Sequence, residues 1–271
     1  MKNIMCHCPD LFDATSWYRG VGALGQLCRI DPEINVTITN IVHWTILKGQ
    51  RVLFIQRPVM DDHIKAIEVA KELNIKVWVD YCDLMTDIHD SNPFVKEIHA
   101  KYKMSLDQVK ANIKKCLGLA DAVTVSTDFL KEKFNEYNPN ITVINNAHDD
   151  YMYPLSKKNI LPCSKNIVWR GSRSHIPDLE VFGSSISKII ENHPGLKFHF
   201  MGYNPKYLTN TYDNCVYVEP TQHPTEYFKK LRELNPMVTI VPLVKNNFNL
   251  SKSNIAALES TYFTNGICFA P

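Results

Sequence analysis

Two cationic stretches in the second half of the chain have the residue types that grip a phosphate. Trp169-Arg170-Gly171-Ser172-Arg173-Ser174-His175 sets two guanidinium groups around a glycine, which permits close backbone approach. It follows an apolar run and precedes a helical pattern, so the unpaired N–H groups of a helix start would add to the attraction for an anion. A diphosphate is a natural guest there, and a solvated basic loop is the plainer alternative. Asn249-Leu250-Ser251-Lys252-Ser253 opens the last helical pattern, with Glu259 further along. A lysine at a helix start opposes the macrodipole unless an anion sits there, and Ser251 or Ser253 can cap the helix. At about 100° per residue, Lys252 and Glu259 would share one helix face, about 10 Å apart along the axis. The cation would then meet phosphate and the carboxylate sugar hydroxyls. A solvated helix face is the alternative.

The first half offers carboxylates and aromatic rings instead. Asp80-Tyr81-Cys82-Asp83-Leu84-Met85-Thr86-Asp87 lies at the end of an apolar run, with His89 and Asp90 close behind. Such acids bind metal, act as bases or hold sugar hydroxyls, while turn and cap roles account for some of them. They follow no compact ligand pattern, so no metal site is expected. Asp13-Ala14-Thr15-Ser16-Trp17-Tyr18-Arg19-Gly20 places Trp17 and Tyr18 beside Arg19. Aromatic faces stack on sugar rings or bases, and arginine binds phosphate or carboxylate; core packing is the alternative for Trp17. Lys96, Lys101, Lys103, Lys110, Lys114 and Lys115 offer a basic face that DNA would need, although such a run is more often a solvated surface.

The elements that must position these loops alternate strictly. Strands are expected at Asn3–Cys8, Val36–Thr39, Val52–Gln56, Val77–Asp80, Ala122–Ser126 and Thr142–Ile144, with helices near 19–29, 62–74, 105–119 and 127–137. The second half repeats the plan with strands at Ile167–Trp169, Lys197–Met201, Val216–Val218, Val238–Pro242 and Ile267–Ala270, and helices near 178–192, 224–233 and 253–264. Such alternation implies βαβ units and parallel sheets covered by helices. The segment 151–165 carries Pro154 and Pro162 but little periodicity. It reads as a linker between an N-terminal domain at 1–150 and a C-terminal domain at 166–271. The expected fold is α/β: two doubly wound parallel-sheet domains facing a cleft, with ligands beyond the carboxyl ends of the strands.

Composition sets aside several function classes. The 271 residues are 45% apolar and 21% charged, with a formal net charge of +2, so no global field points to nucleic acid or an anionic membrane. The eight cysteines are scattered through apolar runs, and Cys6-His7-Cys8 has no second pair to complete a zinc set. Reduced core thiols are expected. No basic-then-apolar leader opens the chain, and no apolar run nears the length of about 20 that a spanning helix needs. A cytoplasmic location is expected.

Four blocks of this sequence resemble the GT-B glycosyltransferases of the group-1 kind, especially short bacterial and phage members. Ala120–Ser126 with Val143–Asp149 is similar to the approach to the interdomain linker. Ile167–Leu179, holding Gly171-Ser172, His175 and Asp178, is similar to the opening of the donor domain. Phe198–Gly202 resembles its second strand, and Pro242-Leu243, Phe248-Asn249, Lys252-Ser253 and Glu259 resemble the donor-binding segment. By the resemblance, Arg170 and Lys252 would neutralise a donor diphosphate, with Arg173 in reserve. Gly171, Ser172 and Ser253 would line the nucleotide, and Glu259 would accept from the ribose. Trp17, Tyr18, Arg19, Asp83 and Asp87 would lie on the acceptor side. Many relatives carry two glutamates eight residues apart, but Ser251 stands eight before Glu259 here. A full member also continues beyond a strand like Ile267–Ala270, so the resemblance implies a chain shortened at its end.

The activity so implied is metal-free, retaining transfer from a nucleotide-diphosphate sugar, most naturally a UDP-sugar, with no further cofactor. The acceptor would be a glycan, a phage DNA carrying a hydroxylated base, or a protein, inside a bacterial or phage-infected cell. A nucleotide-sugar 2-epimerase and a non-catalytic nucleotide-sugar-binding module are the rival readings. Oligomeric state stays open.

Overall fold

The computed structural model describes residues 2–89, 92–147, 149, 164–263 and 267–269. Asp90 and residues 151–163 of the expected linker lie outside the described residues. The chain divides into two compact units. The first comprises Met1–Asp90, Val95–Asn146 and Leu250–Ser253; the second comprises Ser91–Phe94, Ala147–Asn249 and Asn254–Pro271.

The first unit is built on six strands: β1 (Lys2–His7), β2 (Ile34–Thr39), β3 (Val52–Gln56), β4 (Lys76–Tyr81), β5 (Ala122–Val125) and β6 (Ile141–Val143). All pair in parallel, in the order β2-β1-β3-β4-β5-β6. A central parallel strand is covered on both faces, which is why Leu53, Phe54 and Ile55 run as three consecutive buried apolar residues. Helix Asp61–Glu72 follows β3 and buries His63, Ile64, Ala66, Ile67 and Ala70. It ends before Leu73, which is exposed, and Asn74 takes a left-handed φ of 56° to turn the chain into β4.

The lysine-rich stretch forms two helices, Phe94–Tyr102 and Leu106–Leu119. Lys103 breaks the run at φ 56°, and the Ser105 hydroxyl accepts from Gln108 N–H to cap the second helix. The lysines expected to offer a basic face between 96 and 115 are divided between these two helices. Lys115 pairs with Glu68 at 2.9 Å, while the ammonium of Lys114 lies over the Tyr137 ring.

The second unit carries β7 (Asn166–Arg170), β8 (Lys197–Met201), β9 (Cys215–Val218), β10 (Val238–Val241) and β11 (Ile267–Phe269) in the parallel order β11-β10-β7-β8-β9. Alternate residues serve opposite faces. Ile167, Trp169, Phe198 and Phe200 pack with Leu179, Ile186 and Ile190, while Val168, Met201 and Val218 pack with Leu231 on the other side. The helix expected over 178–192 is two, Ile176–Val181 and Gly183–Asn192, broken at Phe182.

Each sheet reverses its winding once. In the first unit the chain leaves β1 toward β2 on one side and reaches β3 on the other; in the second, β7 is flanked by β8 and β10. The loops after β1 and β3, and those after β7 and β10, therefore diverge to leave crevices at the carboxyl ends.

Candidate functional site

Arg170 is the last residue of β7, the strand beside the crevice of the second unit. Its Nη2 lies 2.5 Å from Glu259 Oε2, and its guanidinium lies 5.7 Å from the centre of the Tyr227 ring. The Tyr227 hydroxyl donates to the same Glu259 oxygen at 2.7 Å. Glu259, only 3% exposed, belongs to helix Ile255–Phe263. Burial holds the Tyr227 phenol well above its usual range against the pull of Arg170, so it stays a donor. The result is a fixed cation, still partly open to solvent, over a buried carboxylate.

The loops around that crevice are joined through Asp178. Its Oδ1 accepts from Val244 N–H at 2.8 Å and from Asn249 Nδ2 at 2.6 Å, and its Oδ2 lies 2.8 Å from His175 Nδ1. The β7 and β10 loops are thus one hydrogen-bonded body. Arg173 and Ser172 are exposed on it, with the Ser172 hydroxyl 2.8 Å from that of Ser174. Close approach explains both glycines of the loops. A methyl at Gly171 would meet the Trp169 ring at 2.6 Å; one at Gly202, where φ is 97°, would meet the Gly171 carbonyl oxygen at 2.6 Å. Gly202→Ala is expected to lower stability by at least about 2 kcal/mol, because neither the backbone angle nor the opposing carbonyl yields cheaply. Urea denaturation measures it.

The Ser251-Lys252-Ser253 segment is integrated into the first unit. Ser251 Oγ accepts from Leu84 N–H at 3.1 Å, Thr127 Oγ1 donates to the Ser251 carbonyl at 3.3 Å, and Asn146 Nδ2 donates to Ser253 Oγ at 2.7 Å. Lys252 Nζ lies 2.6 Å from Asp83 Oδ1. Asp83 is held down to about 2 because Lys252, then Arg57, outweigh its burial. Two expectations are corrected here. The helix starts at Ile255, so Lys252 precedes it and the shared face with Glu259 does not exist. The serine hydroxyls do not cap that helix; they tie the segment to Leu84 and Asn146.

Arg19 binds a carboxylate, but an internal one. Its Nε and Nη2 clasp Asp80, with Nη2 2.6 Å from Oδ1, and its Nη1 donates to the Ile144 carbonyl and to Asn146 Oδ1. Thr124 Oγ1 adds a further bond to Asp80 at 2.6 Å. With 7% of its surface exposed, Arg19 spends its guanidinium on Asp80, Ile144 and Asn146. Trp17 and Tyr18 are half-buried and open a wide π turn, Trp17–Val21, in place of a regular helix start. Asp87 is exposed at the end of the turn Met85–Asp87.

Several site-forming residues escape sequence reasoning. Tyr227 carries no signal in the middle of an amphipathic helix. Arg57 directly follows β3 and precedes Pro58, a readable strand exit; it adopts φ 51° and pairs with Asp13 at 3.0 Å. His7 and His63, both buried, meet Nε2 to Nε2 at 3.1 Å. The six described cysteines assigned a state (Cys6, Cys8, Cys28, Cys82, Cys116 and Cys215) are free thiols. Among the described residues, no group of three His, Cys, Asp or Glu side chains is placed to hold a metal ion, and no helix is long and apolar enough to cross a membrane.

No family model and no curated protein sequence matches the chain. Its fold is matched. The two parallel-sheet α/β units are Rossmann-like and match the GT-B fold of the solved structures below. An alpha-glucosyltransferase in complex with UDP and a DNA 13-mer containing a central A:G mismatch aligns over 98% of this chain and 78% of its own, at TM-score 0.54 and 12% identity. The UDP-GlcNAc 2-epimerase of Neisseria meningitidis, bound to UDP-GlcNAc, aligns over 89% and 77%, at TM-score 0.54 and 11% identity. A glycosyltransferase from Rickettsia africae ESF-5 aligns over 88% and 72%, at TM-score 0.50 and 11% identity.

Proposed function

We propose that the chain is a glycosyltransferase that moves a sugar from a nucleotide-diphosphate donor, first among them a UDP-sugar, to an acceptor hydroxyl, with retention and without a metal ion. The observation that carries this reading is Arg170 fixed over Tyr227 and Glu259 at the carboxyl end of β7. Breaking a sugar–phosphate bond builds positive charge on the sugar and negative charge on the departing diphosphate. A cation held in place beforehand therefore favours the transition state over the ground state. Arg170 is that cation, and Glu259 the acceptor for ribose hydroxyls. Arg173, on the same loop as Arg170, is a further cation for the diphosphate. The fold supports the reading, since the neighbours described above include proteins bound to UDP and to UDP-GlcNAc.

A thermal-shift and turnover screen of UDP-, GDP-, ADP- and dTDP-sugars tests it. One donor should raise the melting temperature. Arg170→Ala should abolish that shift and lower turnover roughly 10²- to 10³-fold. A donor shift unchanged in Arg170→Ala would remove the cation from the site and the reading with it.

The likeness to an epimerase favours a second reading, nucleotide-sugar 2-epimerisation. Incubation with donor alone separates the two. An epimerase returns the nucleotide sugar inverted at C2, a transferase releases nucleotide diphosphate only when an acceptor or water takes the sugar, and a binding module does neither.

A further inference from the structure

β2 is a free edge of the six-stranded sheet: among the described residues β1 pairs with one side of it and no strand with the other. Lys2 N–H donates to the Glu33 carbonyl at 2.7 Å and Cys8 N–H to the Thr39 carbonyl at 3.0 Å. The odd-numbered residues of this stretch therefore turn their backbone toward β1, and Ile34, Val36 and Ile38 turn theirs outward. Ile34 N–H is taken by the Asp31 carbonyl at 3.1 Å. The N–H groups of Val36 and Ile38, and the carbonyls of all three, are left for an outside strand. Sheet edges are ordinarily blunted by brevity, lysine, proline or a bulge. The other edge strands are short: β6 and β11 have three residues each and β9 four. β2 has six, Ile34-Asn35-Val36-Thr37-Ile38-Thr39. It carries no charge and no proline, its register against β1 is unbroken, and all but Asn35 are β-branched.

This edge matches itself when turned about a two-fold axis. With Val36 set antiparallel to Val36 of a second copy, Ile34 falls opposite Ile38 of that copy, and Ile38 opposite its Ile34. All of these residues point their backbone outward, so Val36 N–H meets the opposing Val36 carbonyl and Ile38 N–H the opposing Ile34 carbonyl, both ways. A slip by one residue would set outward backbone against inward and mix the two faces. On one face Ile34 and Val36 already pack on Ile4, Cys6, Cys8 and Leu24, and their row continues across the axis as β-branched pairs. On the other face the exposed Asn35 and Thr37 meet as amide and hydroxyl. Exposed isoleucines collect at both ends of the edge. Ile30, the last residue of helix Gly22–Ile30, is 79% exposed just before β2, and Ile38 and Ile41 are 36% and 63% exposed at its finish. Antiparallel pairing brings the start of one copy to the finish of the other and covers these together. Charge does not oppose the contact. Asp31 and Glu33 lie 3.8 and 3.9 Å from Lys2 of their own chain. At roughly 3.3 Å per residue, the two copies of Glu33 would stand about 20 Å apart, beyond a Debye length of about 8 Å.

We propose that the β2 edge is the contact of a two-fold homodimer, in which the β2 strands of two copies pair antiparallel and join their sheets into one. Such a contact is closed, so the edge is consumed and no fibre grows from it. Sedimentation velocity of the full chain from about 1 to 100 μM tests it, together with amide hydrogen exchange at Val36 and Ile38. A monomer–dimer equilibrium is expected, with both amides protected in the dimer and exposed on dilution. Val36→Pro removes the central outward N–H and leaves every bond to β1, a change that a solvent-facing edge tolerates. Ile38→Lys places a charge on the edge. Each should weaken association about tenfold or more, whereas Ile189→Lys, at an exposed position of the second unit, should leave it unchanged. Should Val36→Pro fail to fold, Ile38→Lys decides alone. A chain that stays monomeric over the whole range overturns the proposal. So does a dimer that the folded edge variants leave intact, or one whose Val36 and Ile38 amides exchange freely. Protection of those amides in a monomer by an added extended peptide would assign the edge to a foreign strand and overturn it too.

Discussion

Arg19→Met is expected to destabilise the first unit by about 3–5 kcal/mol, the largest loss foreseen for any single side chain in it. The size follows from what remains behind. Asp80 is 1% exposed, and among the described residues its charge would keep the Thr124 hydroxyl as a side-chain partner. The Ile144 carbonyl and Asn146 amide would lose a donor as well. One further measurement separates an orphaned charge from simple loss of packing: Arg19→Met combined with Asp80→Asn should recover much of the loss. If urea denaturation shows a loss of under about 1 kcal/mol at neutral pH, the clasp is ornamental. The loss reaches the Ser251–Ser253 segment as well, since Asn146 also donates to Ser253.

Arg19 also marks where reading from sequence stops. A tyrosine–arginine pair after a strand advertises ligand chemistry, and arginine does bind a carboxylate there, but one belonging to β4, sixty-one positions away in the chain. Residue type revealed the chemistry and could not reveal the partner. The strands themselves were legible because parallel sheets buried on both faces demand continuous β-branched and aromatic runs. β3 and β8 fall on their expected residues, and the others differ by one or two at an end.

Helix breaks were less legible. Phe182 interrupts the run expected over 178–192, because the break is made by its backbone angles, which leave the apolar spacing unaltered. Lys252 shows the same limit at the site. Its proximity to Glu259 along the sequence suggested a shared helix face, whereas hydrogen bonds from Leu84, Thr127 and Asn146 hold its segment out of the helix.

Acid is expected to weaken the first unit from about pH 6.5 downward, before most carboxylates titrate, because of the buried pair His7–His63. Their protonation is dictated by the backbone. His63 Nδ1 accepts from Val59 N–H at 3.0 Å and from Met60 N–H at 3.2 Å, so its proton sits on Nε2 and is donated to His7 Nε2. The His7 proton then sits on Nδ1, facing the Ile41 carbonyl without closing a full hydrogen bond. Neither ring has room for a second proton without losing an acceptor or facing another cation. Burial, the larger cause in both, lowers His7 to about 4; burial and then His7 lower His63 to about 3. Both folded values lie below the unfolded value near 6.5. The pair therefore contributes its full stability above about pH 6.5, and that contribution is lost as pH falls toward 4 and 3. Each histidine forfeits about 1.4 kcal/mol per pH unit across the window. At pH 4.5 the combined loss is of the order of 5 kcal/mol, comparable with the whole stability of an ordinary domain. Asp83, held at about 2, withdraws its own contribution only below its unfolded value near 3.8, so the two processes separate on the pH axis. His63→Asn keeps an acceptor for the two backbone amides and removes one titrating ring. Denaturation midpoints between pH 7 and 4.5 should fall about half as steeply in that variant as in the parent, and equal slopes would place the acid sensitivity elsewhere.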